Sequence, residues 1–178
     1  VMGHNVDTGV RSAVQGVKEA YESGHLIASH TYGGEDLARS SGSEAVATIL
    51  RNEQLFNALL PGFNGVLQYD ERLAKYMRPP ELEMTADMLD MLNALGYKTA
   101  FVSHDGYDTK NNWSVTEVVS MLTRGVSSPQ SNSYILLLHD VPWSSIGHAA
   151  LLGPVIRDTV DFYQSRGFRF VRMDECID

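Results

Sequence analysis

Three times along this chain an amphipathic stretch runs into a glycine and then into a short apolar run. The segments are "VKEAYESGHLIAS", "MLDMLNALGYKTAFVS" and "VDFYQSRGFRFVRM". Val10, Val14, Val17 and Tyr21 fall on one helical face before the first glycine, and Met84, Met88, Met91, Leu92 and Leu95 do so before the second. Gly24, Gly96 and Gly167 stand where the end of a helix needs a left-handed residue. The runs that follow are apolar on both faces, as strands buried in a parallel sheet are. A further helix is expected over 43–60, carrying Val46, Ile49, Leu50, Phe56, Leu59 and Leu60 and stopped by Pro61-Gly62. The last helix is expected over 153–165, with Pro154 in its first turn. Strands are expected near 26–29, 74–78, 98–103, 134–139 and 168–172, with a partial one at 1–3. Repeated βα units imply an α/β fold, either a doubly wound sheet or a barrel.

The 178 residues, 43% hydrophobic and 20% charged, predict a single domain over 1–178 with one core. A net charge of −8 repels phosphate backbones, so nucleic acid is not an expected partner. The longest apolar runs, such as "YILLL" at 134–138, are too short to span a bilayer, so no membrane partner is expected. The opening "VMGHNVDTGV" lacks the basic-then-apolar pattern of a signal peptide and lacks an initiator Met, so it reads as an interior piece of something longer. One cysteine, Cys176, cannot form an internal disulfide and leans toward a reducing compartment. The triplet Asn112-Trp113-Ser114, a glycosylation acceptor pattern, leans the other way.

Chemistry collects at the ends of the expected strands. His30-Thr31 follows the first, Arg78-Pro79-Pro80 the second, Ser103-His104-Asp105 the third and His139-Asp140 the fourth. Folds of this class build their sites at such ends. Strands ending at His30, Arg78, Ser103 and His139 are therefore expected to be parallel neighbours that share one cleft. Trp113 and Trp143 also follow strand ends, where an aromatic ring either stacks on sugar or packs in the core. Met84, Met88 and Met91 read as core, and His4, His25 and His148 as surface or capping residues. Glu35, Asp36 and Glu44 read as acids at helix starts.

Taken in order, these residues resemble the polysaccharide deacetylases, the NodB-homology domain of carbohydrate esterase family four, and among them the fungal chitin deacetylases. "GHLIASHTYGGEDL" is similar to the family's second motif, "YMRPPE" to its third, and "YILLLHDV" with "GFRFVRMDECI" to its last motif and closing strand. The resemblance implies a distorted (β/α) barrel with fewer than eight strands and hydrolysis of N-acetyl groups on amino-sugar polymers. It also implies a divalent metal, usually zinc, held by an Asp and two His, and a second Asp as base. His139 matches the family's general acid, and Arg78 matches the arginine of the third motif. Glu81 takes the place of a Tyr whose backbone amide helps bind the oxyanion, while "SHDGYDTKN", containing His104 and Asp105, stands in the fourth motif. His104, Asp105, Glu81, Trp113 and Trp143 are the expected substrate-binding residues. The resemblance also implies a secreted or cell-wall location.

Departures from the family pattern carry as much weight. The second motif supplies two metal-binding His in the family; here it reads His30-Thr31-Tyr32-Gly33-Gly34, so Gly34 replaces the second ligand. The first motif, with the base and the metal-binding Asp, is expected upstream of residue 1, and the only nearby Asp, Asp7, reads as a helix cap. A barrel lacking its first strand needs an upstream segment or a second subunit to cover the edge. In fungal relatives a Cys at the position of Cys176 pairs with one before that first motif. Zinc requires about three protein ligands, so His30 alone predicts an incomplete site and no bound cofactor. His104 or Asp105 would have to substitute for a rebuilt one. Three functions stay open: an impaired deacetylase, an inactive relative that binds a glycan or a protein, and a metal-independent His-based acid–base enzyme acting on a small molecule.

Overall fold

The computed structural model describes residues 1–7, 11–60, 75–109, 113–140 and 148–176, without the side chains of 148 and 149. Its contacts gather into two compact units, Val1–Phe101 with Arg172–Asp178, and Val102–Val171.

In the first unit the elements are α1 (Gly3–Asp7), α2 (Arg11–Glu22), α3 (Gly42–Leu59), β1 (Lys75–Met77), α4 (Ala86–Ala94) and β2 (Tyr97–Thr99). β1 and β2 are parallel, with Met77 opposite Thr99. Ser29 forms a parallel bridge to Met77, its N–H donating to the Tyr76 carbonyl at 2.9 Å and its carbonyl accepting from Arg78 N–H at 3.1 Å. On the far side of Ser29, the Val1 amino group donates to the Ala28 carbonyl at 2.7 Å, and His30 N–H donates to the Val1 carbonyl at 3.2 Å. Backbones at 1, 29, 77 and 99 thus lie side by side, and His30 and Arg78 emerge one residue beyond the bridge at the same end. The expected strand at 26–29 is reduced to the bridge at Ser29, and the one at 1–3 turns at once into α1.

Helices cover one face of this sheet. Ser41 and Glu44 form a reciprocal capping box at the start of α3, and Thr85 caps α4 by accepting from Met88 N–H. Ala45 and Ile49 from α3, Met88 and Leu92 from α4, Met77, Tyr97 and Leu37 form the core, with Met84 and Met91 packed against it as expected. Each fully buried aliphatic here contributes about 1.5–3 kcal/mol. Gly24 and Gly96 adopt φ of +86° and +80°, so the helix-to-strand turns are built as the glycine spacing predicts.

The second unit contains β3 (His104–Asp105), α5 (Val115–Leu122), β4 (Leu136–Leu137) and α6 (His148–Gln164); α7 (Met173–Cys176) returns to the first unit. β3 and β4 are parallel, His104 opposite Leu136 and Asp105 opposite Leu137. Val118 and Leu122 of α5 pack with Val155 of α6, flanked by Trp113, Leu136 and Leu138. The Tyr163 hydroxyl donates to the Leu122 carbonyl at 2.7 Å and ties α6 to the end of α5.

Several expectations need correction. α6 begins at His148, so Pro154 lies inside the helix and not in its first turn. No strand is found at 168–172: Phe168 N–H instead donates to the Tyr163 carbonyl, closing α6 through Gly167 at φ +85°. Glu35 starts no helix, and Asp36 sits in a turn where it accepts from Ala38 N–H. Asp7 is the last residue of α1, and its carboxylate accepts from the Tyr32 hydroxyl. Val10, Pro61-Gly62, Asn112 and Trp143 lie outside the described residues.

Candidate functional site

The loop 30–35 leaves the sheet at Ser29 and folds tightly back on itself. His30 Nδ1–H donates to the Arg78 carbonyl at 2.6 Å, so the lone pair of this tautomer sits on Nε2, the arrangement in which metal-binding histidines are held. Thr31, fully buried and at φ +60°, accepts from the N–H groups of both Gly34 and Glu35 at 3.0 and 3.1 Å. Glu35 accepts from Gly33 N–H at 2.9 Å and from the Thr48 hydroxyl at 2.6 Å. Burial alone would raise this carboxyl, but those hydrogen bonds hold it below the ordinary Glu value. Glu35 is thus occupied with the loop's own backbone.

Position 34 is the decisive one for a metal. Its φ is +80°, and a Cβ built there would lie 2.8 Å from the Met2 sulfur. The backbone is of a kind that favours glycine, and the space beside it is filled. Among the described residues no group of three His, Cys, Asp or Glu could hold an ion. The described residues do not fit the zinc that the sequence resemblance implies.

Arg78 follows β1, and the Pro79-Pro80 pair leads into a 3-10 turn, Pro80–Leu82. Glu81 and Leu82 both take left-handed φ, +56° and +59°, with Glu81 exposed. Two consecutive non-glycine residues in that region are a local strain of the sort found where backbone groups are positioned for use.

In the second unit His139 follows β4. Its backbone N–H donates to Asp108 Oδ2 at 2.8 Å, and its Nδ1–H donates to Asp108 Oδ1 at 2.9 Å. Asp108 is only 4% exposed. Burial pushes its carboxyl up, yet the two bonds from His139 outweigh this and hold it below the ordinary Asp value, hence ionised near neutral pH. A histidine gripped at Nδ1 by a buried carboxylate is fixed in tautomer and orientation, leaving Nε2 to give or take a proton. Beside the pair, an apolar recess is lined by Asp108, Trp113, Leu138, Leu151 and Leu152.

His104 and Asp105 serve the local backbone instead. His104 Nε2–H donates to the Arg124 carbonyl at 2.8 Å, with the ring edge-on to Tyr134 at 5.0 Å. Asp105 Oδ1 accepts from Tyr107 N–H at 2.8 Å. Asp108 is the residue that reading the sequence overlooked. It lies within "SHDGYDTKN", but only the fold shows that this carboxylate, and not Asp105, reaches His139.

The sequence profile described as polysaccharide deacetylase matches residues 1–100. The chain belongs to the polysaccharide deacetylase family. It is 29% identical over 181 residues to a chitin deacetylase of Colletotrichum lindemuthianum, covering 98% of this chain and 62% of that protein. The crystal structure of the chitin deacetylase from that fungus superposes with a TM-score of 0.77 at 27% identity, over 94% of this chain and 69% of the other. A family pseudoenzyme from Bacillus anthracis shares the fold at a TM-score of 0.77 and 12% identity, over 99% of this chain and 53% of the other.

Proposed function

We propose that this chain recognises N-acetylated amino-sugar polymers of the chitin type and that its hydrolysis of them is impaired. The supporting observation is a contrast within the chain: the His139–Asp108 pair is intact, whereas position 34 is a glycine in a backbone conformation that favours glycine and offers no ligand side chain. Proton-transfer machinery is kept while the described residues supply no metal centre. Family membership and the fungal chitin deacetylase likeness support an amino-sugar ligand. They also support the distorted (β/α) barrel as the fold and a secreted or cell-wall location. No helix among the described residues is long and apolar enough to cross a membrane.

A second reading is favoured by the same pair: metal-independent acid–base chemistry at His139 on a small molecule. Acetate release from N-acetylglucosamine oligomers, with and without added zinc, separates the two. The impaired-deacetylase reading expects no release under either condition, together with measurable oligomer binding. Release without zinc that falls about 10²–10⁴-fold in His139→Ala would favour the second. Zinc-dependent release at rates ordinary for an enzyme would contradict the impairment.

A further inference from the structure

Tyr107 is an anomaly beside the His139–Asp108 pair. Its φ is +51°, a left-handed conformation that costs a bulky residue energy and that Gly or Asn would adopt with less strain. Its side chain is also 42% exposed, so core packing does not repay that strain. The backbone that carries the ring is nevertheless firmly placed. Its N–H is held by Asp105 Oδ1 at 2.8 Å. Gly106 before it is so closely packed that a Cβ would come within 2.9 Å of Leu138 Cδ2 and 3.2 Å of the Leu137 carbonyl. Asp108 after it is buried on His139. The ring leans toward Trp113, centroids 6.2 Å apart and planes at 40°, and Trp113 borders the apolar recess next to Asp108.

We propose that Tyr107 is a specificity residue whose exposed ring stacks on a pyranose unit of the polymer, next to the sugar served by His139; this rests on the amino-sugar reading above. The apolar C–H face of a pyranose suits an aromatic face. A ring carried on a backbone pinned on both sides, with Trp113 beside it, loses less freedom on binding than one on a mobile loop. Strain kept on an exposed residue beside acid–base machinery is the pattern of a residue retained for use at some cost in stability. A neutral phenol on a chain of net charge −8 suits a neutral sugar better than an anionic ligand.

The test uses the whole chain and the β-1,4-linked tetramer of N-acetylglucosamine, with binding followed by calorimetry and by tryptophan emission. Tyr107→Asn tolerates the left-handed backbone and removes the ring; Tyr107→Phe keeps the ring. The proposal expects Asn to weaken binding about tenfold and Phe to stay within about twofold of the parent. Both variants should melt at or above the parent temperature. Unchanged binding in Tyr107→Asn, or a loss in Tyr107→Phe equal to that in Tyr107→Asn, would overturn the stacking role while leaving the amino-sugar reading standing. No tetramer binding by the parent would overturn both.

Discussion

Asp108 makes the strongest demand on any single residue in this chain. Its folded pKa is depressed, because the bonds from His139 outweigh the effect of burial. The stability it contributes is therefore fully present above the unfolded Asp value, near ~3.9, and is lost as pH falls through the lower folded value. Thermal melts should show a fall in the parent's midpoint below about pH 4 that is shallower in Asp108→Asn. At pH 7 that variant should be less stable by about 2 kcal/mol, the scale of hydrogen bonds to a charged group. Equal acid limbs in the two proteins would mean that the carboxylate is not ionised as described. Gly34 is a second residue with a clear cost. At φ +80°, Gly34→Ala should lose about 1 kcal/mol, read from chemical denaturation. The sequence placed His30, Arg78 and His139 just past apolar runs, and each does follow a paired backbone segment. Asp108 did not stand out, since only two residues separate it from Asp105 and no periodicity says which carboxylate turns toward β4.

Among the elements, α3 carries the most consequential tie. Glu53, 5% exposed, accepts from the Tyr97 hydroxyl and from Lys75 Nζ, the latter at 3.1 Å. Lys75 also donates to the Leu95 carbonyl at 3.1 Å, so one carboxylate joins α3 to β1, β2 and the end of α4. Among the described residues Glu53 Oε2 has no hydrogen-bond partner, so the buried carboxylate depends on Tyr97 and Lys75. Glu53→Ala should cost about 3 kcal/mol, as breaking a buried ion pair does, and Tyr97→Phe about 1 kcal/mol, both read from denaturant midpoints. A loss under about 1 kcal/mol for Glu53→Ala would show that the pair is solvated. Helices over α2, α3 and α4 were readable from apolar spacing, and the ends of α2 and α4 from Gly24 and Gly96. α5 was missed, although Ser114 and Glu117 form a capping box at its start and that S-x-x-E spacing was visible. Its eight residues are too short for periodicity to stand out. The strands were overestimated in length because apolar runs report burial, while pairing needs a neighbour in register. At 168–172 no ladder partner is found among the described residues.

For the molecule as a whole, the family was legible because four motifs occur in order, each weak by itself. The sequence also showed that Gly34 brings no imidazole. It could not show that the loop around Gly34 is locked, with Thr31 and Glu35 accepting its N–H groups and Met2 filling the space where a side chain would project. Gly34→His should gain no zinc, because the described residues offer too few further ligands to complete a site around His30. The central proposal, that the His139–Asp108 pair serves proton transfer in a chain that holds no zinc, is tested most directly by zinc analysis of the chelator-washed protein after re-addition of one equivalent. The expected result is no stoichiometric zinc after desalting, in the parent and in His30→Ala alike. One tightly held zinc per chain, lost in His30→Ala, would contradict it.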